Sequence, residues 1–161
     1  MMDKQYEIRR AESDDAKDIH GVLLAAFEEY RQFYTPEGFL DTVMSEDAIK
    51  KRMKEMTLYV AIDQNGKVIG TIGWQKVSEK EGHIRGMAVL PEKQGKNSPA
   101  LALLRAVENN ARPKGCTYLT LDTTAPLKRA QSFYKKHGFK ETGKTGDFFG
   151  SIVYEYSKFL C

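Results

Sequence analysis

GHIRGMAVLPEKQGKNSPALALLRAVENNARPKGCTYLTLD, Gly82 to Asp122, changes its hydrophobic period twice, and that change decides the fold. Gly82 to Leu90 reads as a strand, and Pro91 to Pro99 as a polar loop. Ala100, Leu104, Val107 and Ala111 then supply one helical face, which Gly115 ends. Tyr118 to Asp122 returns to the strand period. Ser98 and Pro99 read as an N-cap followed by proline at the first helical position. A strand, a crossover helix and a second strand imply that Gly82–Leu90 and Tyr118–Asp122 form a parallel or splayed pair. Ligands in such sheets favour the carboxyl ends of strands beside a helix N-terminus.

Upstream, Leu58–Asp63, the Asn65-Gly66 turn and Val68–Val77 read as a hairpin. Before it, Ser45 caps a helix carrying Ile49, Met53 and Met56. Pro36 and Gly38 mark a break. Ser13, followed by Asp14 and Asp15, reads as the cap of a first helix from about Asp14 to about Tyr30, with Ile19, Leu23, Ala26, Phe27 and Tyr30 at helical spacing. Tyr6 to Arg10 reads as the first strand. Downstream, Arg129–Lys136 is a short helix ended by Gly138, and Phe139–Gly143 and Ser151–Tyr156 are two more strands. The order βααβββαβαββ makes a mixed α/β (α+β) chain with an otherwise antiparallel sheet around one parallel pair.

A chain of 161 residues suits one domain, 1–161, and its 41% hydrophobic share is ordinary for a globular protein. No apolar run reaches the ~18 residues that a membrane span needs. Met1 to Arg10 is charged and lacks an apolar signal core. The expectation is a soluble, cytoplasmic protein with no membrane partner. Cys116 and Cys161 make no disulfide framework, and neither they nor His20, His83 and His137 fall in a metal-ligand spacing, so no metal is expected. The net charge of +3 is spread through the chain with acids interleaved, unlike the concentrated basic stripe of a nucleic-acid binder, and is compatible with an anionic cofactor.

Three segments carry a resemblance to the GNAT superfamily of N-acetyltransferases. Ile84-Arg85-Gly86-Met87-Ala88-Val89-Leu90-Pro91-Glu92 is similar to the family's fourth strand and its exit. Gln94-Gly95-Lys96-Asn97-Ser98-Pro99 sits where the family keeps a (Gln/Arg)-x-x-Gly-x-(Gly/Ala) cofactor loop, with Asn97 and Pro99 at the two glycine positions. Ala130-Gln131-Ser132-Phe133-Tyr134-Lys135-Lys136-His137-Gly138-Phe139 matches the pattern A-x-x-F-Y-x-x-x-G-F in full. The resemblance implies a mostly antiparallel seven-stranded sheet with a splayed central parallel pair, helices on both faces, and acetyl-CoA as co-substrate.

It also implies site residues. Met87, Ala88 and Val89 match the backbone that pairs with the pantetheine arm, and Gly86 suits a bulge there. Gln94, Gly95, Lys96, Asn97, Ser98 and Ala100 offer N–H donors to a pyrophosphate at a helix N-terminus. Asn97 tolerates left-handed dihedrals, whereas Pro99 lacks an N–H. Lys93, Lys96 and Lys135 are within reach of phosphates. Tyr134 matches the phenol that protonates the departing thiolate, a task a group with pKa ~10 can perform. The asparagine that often precedes this helix is Leu127 here. His83, on the splayed strand, is the candidate base, with Glu81, Glu28 and Glu29 as rivals. The acceptor pocket falls to Glu28, Tyr30, Arg31 and Phe148, with Glu29, Tyr34 and Phe149 beside them. Trp74 is expected in the core.

The function implied is acetyl transfer to a primary amine of a small-molecule or amino-acid-like acceptor by direct attack in a ternary complex. No covalent enzyme intermediate is required, since neither cysteine sits in a nucleophile motif. A backbone N–H near Val89 polarises the thioester carbonyl. The alternatives are a protein N-terminal or lysine acetyltransferase, and a catalytically inactive CoA-sensing or interaction module suggested by Asn97 and Pro99. A homodimer is the one assembly left open.

Overall fold

The computed structural model describes residues 6–160. Cys161 and the first five residues of the N-terminal segment lie outside them. Seven strands form one sheet in the order β1-β2-β3-β4-β5-β7-β6. These are β1 (Tyr6–Arg10), β2 (Thr57–Asp63), β3 (Val68–Lys76), β4 (Glu81–Val89), β5 (Tyr118–Thr124), β6 (Lys140–Phe148) and β7 (Ser151–Phe159). Every neighbouring pair is antiparallel except β4 with β5. The helices are α1 (Ala16–Phe27), α2 (Pro36–Thr42), α3 (Glu46–Glu55), α4 (Ala100–Ala111) and α5 (Lys128–Lys136).

β3 is buried on both faces from Val68 to Trp74, because α1 packs on one side and α4 on the other. Such two-sided burial explains its near-continuous apolar sequence. Trp74 is a core residue, as expected, and its indole N–H donates to Asn110 Oδ1 of α4 at 3.0 Å. The fully buried Glu108 carboxylate joins α4 to β7. It accepts from Lys158 Nζ and Arg105 Nη1, each at 2.6 Å.

The parallel pair is splayed. β4 and β5 are in register only over Glu81–His83 and Tyr118–Thr120. Two local features drive β4 away. Thr71 of β3 pairs with Ala88 while Gly73 pairs with Arg85, so Gly86 and Met87 bulge opposite Ile72. Gly86 adopts φ +68, which suits glycine at a bulge. At the paired end, the side chains of Leu119 and Trp74 pack over Gly82, where a Cβ would lie 2.8 Å from Leu119 Cδ2.

Several boundaries differ from the sequence expectation. Ser13 does not cap the first helix; it opens a 3-10 turn, Ser13–Asp15, whose preceding residue Glu12 donates its N–H to Asp15 Oδ2 at 2.7 Å. That helix stops at Phe27, and Glu28–Phe33 continues as a 3-10 helix. Pro36 and Gly38 start α2 instead of breaking the chain, since Thr35 Oγ1 accepts the Gly38 N–H and proline suits the first turn. Pro99 is the N-cap of α4, not its first residue, while Ser98 Oγ still accepts the Ala100 N–H at 3.1 Å.

Candidate active site

Beyond His83 the gap between β4 and β5 opens into a cleft of about 870 Å³. Met87, Ala88 and Val89 form one wall. Leu121 to Thr124 of β5 form the other, and Phe133 and Tyr134 of α5 border it. Tyr134 is buried, and its hydroxyl donates to Met87 Sδ at 3.1 Å. The phenol therefore points into the cleft against the strand opposite. Burial pushes its pKa well above the ordinary phenol value, so it keeps its proton.

The loop before α4 borders one end. Asn97 takes φ +64 and Gly95 φ +88, so asparagine holds the left-handed turn where a glycine was expected. The Ser98 N–H is turned inward to Gly95 O at 3.2 Å and the Gln94 N–H to Pro91 O at 3.3 Å. With the Ala100 N–H on Ser98 Oγ, three of the six anticipated donors are engaged within the loop. Gln94 contributes through its side chain: Nε2 donates to the Val89 carbonyl at 2.9 Å, and Oε1 accepts from Arg129. Arg129 and Lys136 line the cleft, whereas Lys93, Lys96 and Lys135 do not. Leu127 lines it in place of the asparagine.

His83 sits where the paired strands part. Its Nδ1 lies 2.7 Å from Thr120 Oγ1, and Thr120 Oγ1 donates to Glu81 Oε2 at 2.7 Å. Tyr118 OH donates to the other oxygen of Glu81 at 3.2 Å. The single hydroxyl proton of Thr120 is thus spent on Glu81, so the hydroxyl must accept from His83 Nδ1–H. That assigns the tautomer and leaves the Nε2 lone pair facing the cleft, 3.7 Å from Asp122 Oδ2. Burial, above all, holds the His83 pKa below the ordinary imidazole value, against the opposing pull of Asp122. Burial likewise raises Asp122.

The family model described as Acetyltransferase (GNAT) family matches residues 23–139. The chain belongs to the GNAT acetyltransferase family. A curated relative, the uncharacterized N-acetyltransferase YhfO of Bacillus subtilis, is 29% identical over 140 residues, spanning 83% of this chain and 89% of that protein. The PaiA N-acetyltransferase of Thermoplasma acidophilum, solved in complex with coenzyme A, superposes with TM-score 0.81 at 20% identity, covering 96% of this chain and 98% of that one. A GNAT acetyltransferase of Elizabethkingia anophelis with acetyl-CoA bound gives TM-score 0.67 at 18% identity over 98% of this chain and all (100%) of that one.

In this GNAT chain the residues expected to form an acceptor pocket are only partly brought together. Tyr30, Tyr34 and Phe148 line the cleft, and Tyr34 meets Phe148 edge to face at 6.4 Å. Glu28 and Arg31 do not line it. They pair with each other at 2.7 Å on the surface, because the 3-10 helix turns both outward, and Arg31 stacks over Phe39 at 4.0 Å. Glu81 is held by two hydroxyls outside the lining, and Glu29 and Phe149 are also outside it. Among the polar lining residues that went unread in the sequence are Arg52, Arg85, Asp41 and Asp122. Arg85 and Asp122 carried a usable signal, each lying two residues beyond His83 or Thr120 on the same strand face.

Proposed function

We propose that this GNAT enzyme moves an acetyl group from acetyl-CoA to a primary amine of a small-molecule or amino-acid-like acceptor in a ternary complex. The observation that carries the proposal is the cleft between β4 and β5, with the Tyr134 hydroxyl in one wall and His83 Nε2 where the strands part. The cleft has the donors and acceptors that a pantetheine arm needs. Among the described residues, the β4 backbone past His83 has no partner strand on that side. Thr123 Oγ1, buried in the β5 wall, has no hydrogen-bond partner among the described residues. An orphaned hydroxyl costs free energy unless a ligand answers it. Gly95 and Asn97 keep N–H groups for phosphate at the start of α4, and Arg129 and Lys136 add charge.

Acetyl-CoA held there supplies the activated acyl group as a thioester. His83 Nε2 takes a proton from the acceptor ammonium, and Nδ1–H stays on Thr120. A backbone N–H near Val89 faces the carbonyl to be attacked. Tyr134 gives its proton to the departing sulfur. The strands hold both reactants at attack distance, which by itself removes several kcal/mol of the barrier. Asn97 in the left-handed region keeps the turn of the substituted loop, and the Tyr134 hydroxyl and His83 in the same cleft favour catalysis over the inactive CoA-sensing alternative.

A thiol-release screen of diverse amines and of peptide substrates with acetyl-CoA tests the proposal. Turnover with small amines and not with peptides is expected. Acetyl-CoA at ~100 times Kd should add about 2.7 kcal/mol of stability. The absence of both turnover and stabilisation at millimolar acetyl-CoA overturns the proposal.

A further inference from the structure

The acceptor end of the cleft holds one cation that no acid answers. Arg52, on α3, is half-buried and lines the cleft, with Nη1 3.6 Å from where a Cβ would stand on Gly86. Among the described residues no carboxylate oxygen comes within 4.0 Å of its guanidinium. The acid facing it, Asp41, is already bound to Arg85 Nη2 at 3.1 Å. Glu55, the other acid near it, is exposed on α3 and outside the lining. Burial first, and Arg85 second, disfavour the charge on Arg52; Asp41 and Glu55 offset this only in part, and among the described residues neither is paired with its guanidinium.

The remaining charges of this end have a complementary pattern. The Arg85–Asp41 pair is internally neutral. His83 and Asp122, 3.7 Å apart, offer a base and an acid to an ammonium group. What is left is one cation, Arg52, and one anion, Asp122, on the same cleft, with Tyr30, Tyr34 and Phe148 as an aromatic wall. A simple amine or a polyamine would satisfy Asp122 and leave Arg52 unanswered or repelled. A zwitterion satisfies both.

We propose that the acceptor is an amine that also bears a carboxylate, an amino acid or a close derivative with its carboxylate free, and that Arg52 seats that carboxylate while the amine meets His83 and Asp122. Arginine suits the task, since its planar fork binds a carboxylate through two parallel hydrogen bonds. The proposal rests on the acetyl-transfer reading above and adds the substrate class to it.

The test compares matched sets: L-phenylalanine, L-phenylalaninamide and phenethylamine, and the corresponding alanine and lysine sets. Each is assayed by thiol release with acetyl-CoA and by calorimetric binding to the CoA-loaded protein. At least one acid should exceed its amide and its decarboxylated amine by about tenfold or more in kcat/KM, with the same order in binding. Arg52→Gln should bring acid and amide within about twofold by raising the KM of the acid, and Arg52→Lys should restore part of the gap. Amides or plain amines used as well as the acids by the wild-type protein overturn the proposal, a result independent of how the variants fold. A preference for the acid that survives Arg52→Gln overturns it also. Silence with every amine counts instead against acetyl transfer itself, on which this proposal stands.

Discussion

Thr120→Val is the sharpest probe of the base. Thr120 is buried, and valine matches its shape, so packing is nearly preserved. What is lost is the hydroxyl between His83 Nδ1 and Glu81 Oε2, with 2.7 Å on each side. One net hydrogen bond is worth about 0.5–1.5 kcal/mol, and a buried N–H left unanswered costs about 1–3 kcal/mol. At ~1.36 kcal/mol per factor of ten, kcat/KM should fall by about tenfold and by no more than about a hundredfold. Thr120→Ser keeps the hydroxyl and should recover most of the loss. The assay is kcat/KM against pH at saturating acetyl-CoA. Because burial lowers the His83 pKa, the neutral base persists below the ordinary imidazole value of 6.5, and activity is lost only as pH falls through that lowered value. Thr120→Val should keep this acid limb on a lower plateau, whereas His83→Ala should abolish the limb. A plateau identical in wild type and Thr120→Val, or equal losses for the Ser and Val variants, would refute the relay from Glu81 through Thr120 to His83.

Tyr134→Phe should reduce kcat by about a hundredfold or more while leaving acetyl-CoA binding nearly intact, measured by single turnover and by calorimetry. Since burial raises the Tyr134 phenol, kcat in the wild-type protein should show no basic limb from this residue below about pH 10, and a Tyr-dependent limb near neutrality would contradict its role as the acid. Gly82→Ala places a Cβ 2.8 Å from Leu119 Cδ2 and 3.1 Å from Trp74 Cε3, so urea denaturation should report about 1–3 kcal/mol of destabilisation, and a neutral result would mean that the β4–β5 junction yields easily.

The parts of the fold that follow a period were legible. The turn from strand to helix to strand over Gly82–Asp122 led to the parallel pair, and Gly86 pointed to the bulge that opens it. Elements held by specific polar contacts were not. α2 was hidden because Pro36 and Gly38 look like breakers until Thr35 is recognised as a cap. β6 ran past its expected end because it is exposed along nearly all its length and so lacks an apolar alternation. Its pairing with β7 fixes it instead.

The same division runs through the site. Tyr134 lies on a motif position and His83 on the strand beside one, each within a single element, and both face the cleft. Thr120, Asp122 and Asp41 act through partners on other elements. His83 and Thr120 stand 37 residues apart, and Arg85 and Asp41 stand 44 apart. A polar residue on a strand carries no mark in sequence that distinguishes a hydrogen-bond relay from a solvated surface. Glu28 and Arg31 show the converse error. Their chemistry suits a site, but a three-residue spacing on a 3-10 helix aligns them with each other, so they satisfy one another at the surface. What separates Arg52 from Arg31 is therefore not residue type but whether a nearby acid is already spent. Arg31 has Glu28, Arg85 has Asp41, and Arg52 has no acid within reach among the described residues. That unbalanced charge, on the same cleft as His83 and Asp122, makes the proposed acceptor class a question of electrostatics that matched acid and amide substrates can decide.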